Sequence, residues 1–485
     1  MSQFCSKFEK GKKIFDSLHG TIHLTEDEVN IIDTPQFQRL RRINQLGFAS
    51  YVFPEANHTR FSHSLGVLAV IDRLCQHLKI DNEHREDLRL IALLHDVGHF
   101  PFSHTLEDVY DSLAKKKADK KAQEYIKNGL KKKNEPKVND RYSADEVRKY
   151  EYHEDCSRVV ADSVLKAVCP SINKERRVRI TDAIIGNCIN PSYFNQLIHS
   201  NIDADNMDYL LRDSQKTGIP YGNYDFCYLS EAFGFDDSSE KRIIIKRRGL
   251  NALEHFYLAK YYWYTQIINH PSLMIIEKMA RYIAIQLINM KYLLNFDEWQ
   301  SALNDSNGIF CDFDDVFFLD AVRKAIQENR ISKDFKLLCI ALLRRIIPDI
   351  EYEKKIFTKN RGQIEKIESE FREKGEKKLK SSKFPSRIIQ EIYEAPDICE
   401  GKPFIQTKRS VINRVRVKDK QTRALKERNV PRIELGDKYC LSESPSTVFI
   451  TDFRDSLLSS LLDRELHIFR IYDFDGLAEK AAKYL

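Results

Sequence analysis

The sequence predicts a mainly α fold, with a helical core over residues 1–294 and a smaller mixed α+β C-terminal lobe over residues 295–485. Three observations predict it. Apolar residues recur at helical spacing through long stretches of the first part, Phe256 to Leu294 among them, with only Pro271 interrupting. Alternation in Leu466-His467-Ile468-Phe469-Arg470-Ile471-Tyr472 marks a strand with one buried face. A chain of 485 residues is also long enough to divide in two, because domains mostly run about 50–250 residues.

Taken in order, Asp33-Thr34-Pro35 reads as a helix start, with Asp33 or Thr34 as cap and Pro35 at the first helical position. Arg60 to Leu78 is an amphipathic stretch whose Leu65, Leu68, Ala69, Ile71 and Leu74 mark the core side, and His63 sits in its first turn. Leu90 to Leu94 is apolar throughout and reads as a buried helix. Lys115 to Arg141 is a lysine-rich insertion that reads as a mobile or partly helical flap; a solvated loop is the plainer alternative for such a charge run, and phosphate steering is the functional one preferred over single-strand contact. A strand pair is expected near Arg242 to Lys246, bounded by Gly249. Phe296 to Ile347 reads as several amphipathic helices and Glu351 to Lys383 as a charged helix or helices. Strands and a final helix near Leu477 to Tyr484 complete the chain.

Composition narrows the class without choosing a function. Hydrophobic residues make up 42% of the chain, yet no apolar run reaches the length of about 18 that a membrane span needs, so no membrane role is expected. The start of the chain, Met1 to Glu9, has no signal-peptide core. Ten cysteines form no CxxC pair, which points to reduced thiols and a cytoplasmic protein. The net charge of +6 is modest, and the aromatic interleaving expected of a single-strand nucleic-acid platform is nearly absent from the lysine-rich insertion.

The chemistry concentrates in His95-Asp96-Val97-Gly98-His99, which follows the apolar run. Burying a polar group without partners costs roughly 2–7 kcal/mol, and a charge costs more. A divalent cation compensates both groups, since imidazole nitrogen and carboxylate oxygen are first-row metal ligands; backbone carbonyls and an arginine are the plainer alternative. His99 is expected one helical turn after His95, on the same face. Further on, Asp205, Tyr209, Arg212 and Asp213 fall at i, i+4, i+7 and i+8, so they share one helix face suited to a metal and a polar ligand.

His63, His95-Asp96 and Asp205 follow the H…HD…D order of the HD superfamily of metal-dependent phosphohydrolases. The flanking words are more specific. Asp33-Thr34-Pro35-Gln36-Phe37-Gln38-Arg39-Leu40-Arg41, Gln45-Leu46-Gly47, Tyr51-Val52-Phe53-Pro54, Arg60-Phe61-Ser62-His63-Ser64-Leu65-Gly66, His95 to His104 and Asp205-Asn206-Met207-Asp208-Tyr209 together resemble the deoxynucleoside triphosphate (dNTP) triphosphohydrolases. They are similar above all to the HD domain of the enzyme that also carries a sterile alpha motif, and to its bacterial relatives. The resemblance is dense from Lys12 to Asp225 and thins towards Met290.

It implies a helical HD-domain catalytic core and hydrolysis of dNTPs to deoxynucleoside and inorganic triphosphate. His63, His95, Asp96 and Asp205 match the ligands of one divalent metal, with Mn, Mg, Fe, Zn and Ni all open and additional Mg arriving with nucleotide. His99 and His153 match the histidines beside the α-phosphate, Glu107 stands where relatives carry an orienting aspartate, and His104 lines the same pocket. Arg60 and Lys260 match phosphate-binding cations. Gln45, Leu46, Tyr209 and Asp213 match the surroundings of the deoxyribose. Asn206 departs from the family, replacing a cation that contacts phosphate. Lys12, Asp33, Gln38 and Arg41 correspond to positions that bind an activating nucleotide, GTP or a dNTP, between subunits of a homotetramer or other homo-oligomer; Val52 and Phe53 correspond to an adjoining site, where Tyr228 replaces a basic residue. The competing classes are an HD-type phosphodiesterase or nuclease, and a nucleotide sensor or single-stranded nucleic-acid binder.

Overall fold

The computed structural model describes residues 11–127, 153–239, 241–328, 331–358, 360–395, 405–408, 432–434, 447–449 and 465–485. Mainly helical architecture is observed, with the sheets small and peripheral. An antiparallel hairpin, β1 (Lys13–Asp16) with β2 (Gly20–His23), opens the described chain. Two short helices follow, α1 (Glu26–Ile32) and α2 (Pro35–Arg39). The second starts as its sequence dictates: Thr34 caps it by accepting from the Phe37 N–H, and Pro35 occupies the first turn, where its missing N–H costs nothing.

The centre is built by α3 (Arg60–Leu78), α4 (Asn82–Leu94), α5 (His104–Lys127), α6 (His153–Val168), α7 (Lys174–Ile184), α8 (Tyr193–Ile198) and α9 (Ala204–Thr217). Helices α3, α4 and α9 pack together, and their apolar faces merge into one core that holds Leu65, Val67, Ile71, Ile91, Leu93, Met207 and Leu210 out of water. Residues 115–127 of the lysine-rich insertion continue α5 as ordinary helix. The remainder of that insertion, 128–141, lies outside the described residues.

Beyond it, α10 (Phe226–Ala232) leads to β3 (Phe233–Phe235) and β4 (Ile243–Ile245), the strand pair expected near Arg242. Helices α11 (Leu250–Trp263) and α12 (Pro271–Asn289) are separated by a π-helical turn, Tyr264–Ile268, immediately before Pro271. The expected series of amphipathic helices is α13 (Phe296–Asp305), α14 (Ile309–Asp312), α15 (Asp315–Gln327) and α16 (Lys333–Leu343).

Glu351 to Lys383 corrects the sequence reading. Its first part is a strand, β5 (Asp349–Thr358), and only Arg361–Ser381 (α17) is helical. Local charge reads as a solvated helix, but β5 pairs antiparallel with β9 (Glu465–Asp473) along its whole length, from Asp349↔Asp473 to Thr358↔Glu465. That distant partner supplies the hydrogen bonds that decide the conformation, and β5 forms one side of the sheet, where charged side chains reach water. Helix α18 (Ser386–Tyr393) precedes β6 (Ile405–Lys408), which pairs with the other side of β9; β7 (Arg432–Glu434) and β8 (Thr447–Phe449) extend the β3–β4 sheet. The chain closes with α19 (Asp475–Ala482), near the predicted final helix.

Arg39 ties the later helices to the centre. Fully buried, it donates from Nε to the Phe313 carbonyl at 2.9 Å and from Nη2 to the His99 carbonyl at 2.7 Å. No helix among the described residues is long and apolar enough to cross a membrane, and the described cysteines are free thiols.

Candidate metal centre and active site

Helix α4 ends at Leu94, and His95 is its C-cap. His99 therefore lies beyond the helix, after a turn in which its N–H donates to the Asp96 carbonyl at 3.0 Å, and the expected i, i+4 spacing on one helix does not occur. The reason is local. Gly98 lies against α6 so closely that a Cβ there would stand 2.2 Å from the Ser157 nitrogen, so the backbone leaves the helical path to make that approach. The turn nevertheless brings His99 into the same pocket.

Three ligand atoms converge, one each from His63, His95 and Asp205, all within 4.8 Å of one another. Their tautomers follow from the bonds the other ring nitrogens make. His95 donates from Nδ1 to the Ala92 carbonyl at 2.8 Å, leaving Nε2 a buried lone pair with no hydrogen-bond partner. His63 donates from Nδ1 to Asp208 Oδ2 at 2.8 Å. Its Nε2 is then an acceptor that stands 2.9 Å from Asp205 Oδ1 without the alignment of a hydrogen bond. Two acceptors in that relation need a proton or a cation. Burial opposes a proton on His63, yet the Asp205 and Asp208 carboxylates outweigh it and push the imidazole up to about 10. A divalent cation meets the same demand, and neighbouring ligands of an octahedral ion at about 2.1 Å lie about 3 Å apart. The donor set fits such an ion. Asp96 stands slightly farther out, Oδ1 3.6 Å from His95 Nε2 and Oδ2 3.9 Å from His63 Nε2, and Arg60 Nη1 donates to Oδ2 at 2.7 Å. Burial raises the Asp96 carboxyl, but Arg60 and the surrounding imidazoles hold it well below the usual range.

Beside this group lies a second one, His99, His104, Glu107 and His153. Glu107 accepts from His153 Nδ1 at 2.8 Å and from its backbone N–H at 2.9 Å, and it lies 2.5 Å from His104 Nδ1. Glu107 thus contacts both imidazoles. Burial resists charge on both partners, but the Glu154 and Glu107 carboxylates push His153 up to about 10, and the imidazoles hold Glu107 well below its usual value. His99 behaves oppositely. Burial, Arg60 and His153 push it well below the usual value, and the Phe100 N–H donates to its Nδ1 at 3.0 Å, so the neutral ring carries its proton on a buried, unpartnered Nε2. The His99 and His153 rings stack at 4.3 Å, and His153 Nε2 is 3.8 Å from Asp96 Oδ1.

Of the residues expected around phosphate and sugar, Arg60 meets Asp96 directly, and Lys260, Tyr209 and Asp213 are linked through Asn206 and Trp263. Arg60 is held by Asp96 and by its Nε donation to Ser103 Oγ at 2.9 Å. Lys260 donates to Asn206 Oδ1, which also accepts from the Tyr209 hydroxyl at 2.7 Å. Tyr209 packs on Trp263 with ring centroids 4.8 Å apart. Asp213 accepts from His58 Nε2 at 2.7 Å and Trp263 Nε1 at 2.9 Å, each oxygen keeping a second lone pair. Gln45 and Leu46 are buried, and Gln45 Oε1 is an acceptor without a hydrogen-bond partner. Arg212 is the correction on this helix: it turns away to bond Asp208 and Asp16, because those buried carboxylates require a cation.

The positions matched to an activating nucleotide lie on the outside. Lys12 and Asp33 pair loosely at 3.8 Å, both well exposed. Gln38 donates to the Ile32 carbonyl at 2.8 Å and accepts from Arg41 Nε at 2.8 Å, while the Arg41 guanidinium stacks 3.5 Å over Phe61. Val52 and Phe53 are half-buried, with Phe53 edge-on to His270. Sequence reasoning missed His19, His58, Ser103, Asp208, Trp263 and Asp315. Only Asp208 carried a signal, its i+3 spacing from Asp205.

Residues 60–213 match the family model of the HD domain. It is 32% identical over 287 residues to an uncharacterized protein of Methanocaldococcus jannaschii, covering 58% of this chain and 51% of that one. Over 111 residues it is 45% identical to the deoxynucleoside triphosphate triphosphohydrolase SAMHD1 of Bos taurus, 21% of this chain and 19% of that enzyme. The chain spans about half the length of the curated relatives it matches. A crystal structure of a hypothetical protein from Aquifex aeolicus shares the fold, with a TM-score of 0.64 at 23% identity over 97% of this chain and 99% of that one.

Proposed function

We propose that this chain is a metal-dependent phosphohydrolase that cleaves dNTPs to deoxynucleoside and inorganic triphosphate. One observation carries the reading: His153, bonded to Glu107, stacks on His99 beside the convergent ligand atoms of His63, His95 and Asp205. The similarity to SAMHD1 supplies the substrate class.

His63, His95, Asp96 and Asp205 would hold the ion, which supplies Lewis-acid stabilisation of phosphoryl charge and acidifies water. Around it the chain's own groups divide the remaining work. His99 Nε2–H donates to an α-phosphate oxygen. His153 delivers its proton to the leaving 5′-oxygen, a role for which a charged acid is suited and neutral His99 is not. Arg60 and Lys260 offset the charge of the triphosphate. The Tyr209 ring, braced by Trp263, packs against the deoxyribose, where a 2′-hydroxyl would crowd it, and Asp213 accepts from the 3′-hydroxyl, with Gln45 and Leu46 beside the sugar. Activation by GTP or a dNTP at Lys12, Asp33, Gln38, Arg41, Val52 and Phe53, assembly as a homo-oligomer through the 295–485 lobe, and a cytoplasmic location complete the proposal.

Purified protein incubated with Mn²⁺ or Mg²⁺ and each dNTP, with and without GTP, tests it by chromatography of the products. Deoxynucleoside and triphosphate are expected. Nucleoside monophosphate with pyrophosphate would instead mark cleavage of the α–β anhydride, and that product or no turnover under any combination overturns the reading.

A further inference from the structure

The metal-ligand histidine is not held by its own helix alone. His63 Nδ1 donates to Asp208 Oδ2 at 2.8 Å, and Asp208 Oδ1 accepts from His19 Nε2 at 2.7 Å, across 189 positions of sequence. Arg212 grips the same carboxylate, Nε to Oδ2 at 2.8 Å and Nη2 to Oδ1 at 3.0 Å, and reaches Asp16 at 3.0 and 3.2 Å. His19 and Asp16 belong to the tip of the β1–β2 hairpin. Asp16 Oδ1 accepts the Leu18 and His19 N–H groups at 2.9 Å each, so the turn that presents His19 is fixed by the residue that also holds Arg212. Asp208, Arg212, Asp16 and the His19 side chain are all more than nine-tenths buried.

The cradle is shaped to admit these groups. A Cβ on Gly66 would stand 2.0 Å from Asp208 Oδ1 and 2.3 Å from Arg212 Nη2, so α3 carries no side chain where they pass. The outer side of the hairpin is open to solvent, with Phe15 79% exposed and Lys12, just before β1, also exposed. One short element therefore has its inner edge bonded to the orienting group of a metal ligand and its outer edge free to meet other molecules.

We propose that His19 is a positioning residue for the metal centre: the docked hairpin, through His19–Asp208–His63, sets the orientation and basicity of His63 and thereby the affinity for the divalent ion. A carboxylate that receives the N–H of a ligating histidine fixes its tautomer and ring angle, and loss of such a partner typically costs 10–100-fold in metal affinity. His19 extends that arrangement by one bond and by one structural element. Whatever displaces the hairpin loosens the ion, so the exposed N-terminal surface and the metal centre are coupled. This rests on the proposed metal site.

Titration calorimetry of metal-stripped full-length protein with Mn²⁺ tests it without reference to turnover. His19→Leu is expected to weaken Mn²⁺ binding about 10–100-fold. His19→Gln, whose amide places an N–H near the position of Nε2, is expected to recover most of that loss, which a merely space-filling role for His19 would not produce. If His19→Leu does not fold, His19→Asn, polar but too short to reach Asp208, takes its place with the same expected direction. A folded His19→Leu or His19→Asn protein with Mn²⁺ affinity within twofold of the unaltered chain overturns the proposal alone. Absence of Mn²⁺ binding by the unaltered chain overturns both it and the metal-site reading.

Discussion

The ammonium of Lys260 on α11 rests on the side-chain oxygen of Asn206 on α9. Both residues are buried, and under the proposed function Lys260 supplies the cation that the resemblance places at position 206. Lys260→Met is expected to raise the KM for dNTP by one to two orders of magnitude, with a smaller change in kcat, because a phosphate-binding cation acts on bound triphosphate in both ground and transition states. Asn206→Lys places two ammonium groups together and is expected to lower the thermal midpoint. The double variant Asn206→Lys/Lys260→Met should recover both properties, giving a large coupling in the double-mutant cycle. Additive effects across the cycle would refute the exchange.

The Glu107–His153 pair predicts a pH dependence. His153 donates a proton in the proposed reaction, so the rate falls as pH rises through its pKa, which the Glu154 and Glu107 carboxylates push up to about 10 against burial. Glu107→Gln removes one of the charges that stabilise the imidazolium. The His153 pKa then drops, and the alkaline limb of the kcat profile moves to lower pH while the acid limb stays. An unmoved alkaline limb would remove His153 from the role of acid.

Asp315 clamps the site from the C-terminal side. Its carboxylate accepts the Phe102 N–H at 2.5 Å and the Asn44 N–H at 2.9 Å, and Ser103 Oγ closes the ring by donating to the Asn44 carbonyl at 2.6 Å while accepting from Arg60. Asp315→Asn turns one of those two contacts into a donor facing a donor. Hydrogen exchange should accelerate at residues 43–46 and 100–104, and the KM for dNTP should rise severalfold. Burial pushes the Asp315 carboxyl up to about 7, above its value in the unfolded chain. The folded protein therefore binds that proton more tightly, its stability declines as pH climbs from about 4 to 7, and Asp315→Asn should flatten that part of the stability profile. An unchanged profile would show that the group titrates normally.

Metal should stabilise the fold. An ion that binds only the native state at a hundredfold excess over its Kd adds about 2.7 kcal/mol. Mn²⁺ is expected to raise the thermal midpoint by a few degrees, EDTA to reverse the rise, and Asp205→Ala to abolish it. A shift that survives Asp205→Ala would place the ion elsewhere.

Much of the candidate site was legible in the residues. Ligand chemistry belongs to side-chain type, so His95, Asp96 and Asp205 pointed to a cation from the residues alone, whereas His63, Glu107 and His153 entered through the resemblance. The structure brings His63, His95 and Asp205 together and sets Asp96 beside them. Helical periodicity likewise announced α3, α9, α11 and α12, because an amphipathic stripe is a local property.

Partnership was not local. His19 meets Asp208, Asp315 meets Asn44 and Phe102, Arg212 serves Asp16, and Lys260 answers Asn206, each pair distant in sequence. Charge composition read β5 as helix until β9 supplied its hydrogen bonds. What the sequence determined by itself was which groups could bind a metal, move a proton or hold a phosphate. Tertiary structure decided which buried charge each of them answers, because the cost of an unpaired group in a low-dielectric interior is met by whatever side chain the fold carries there.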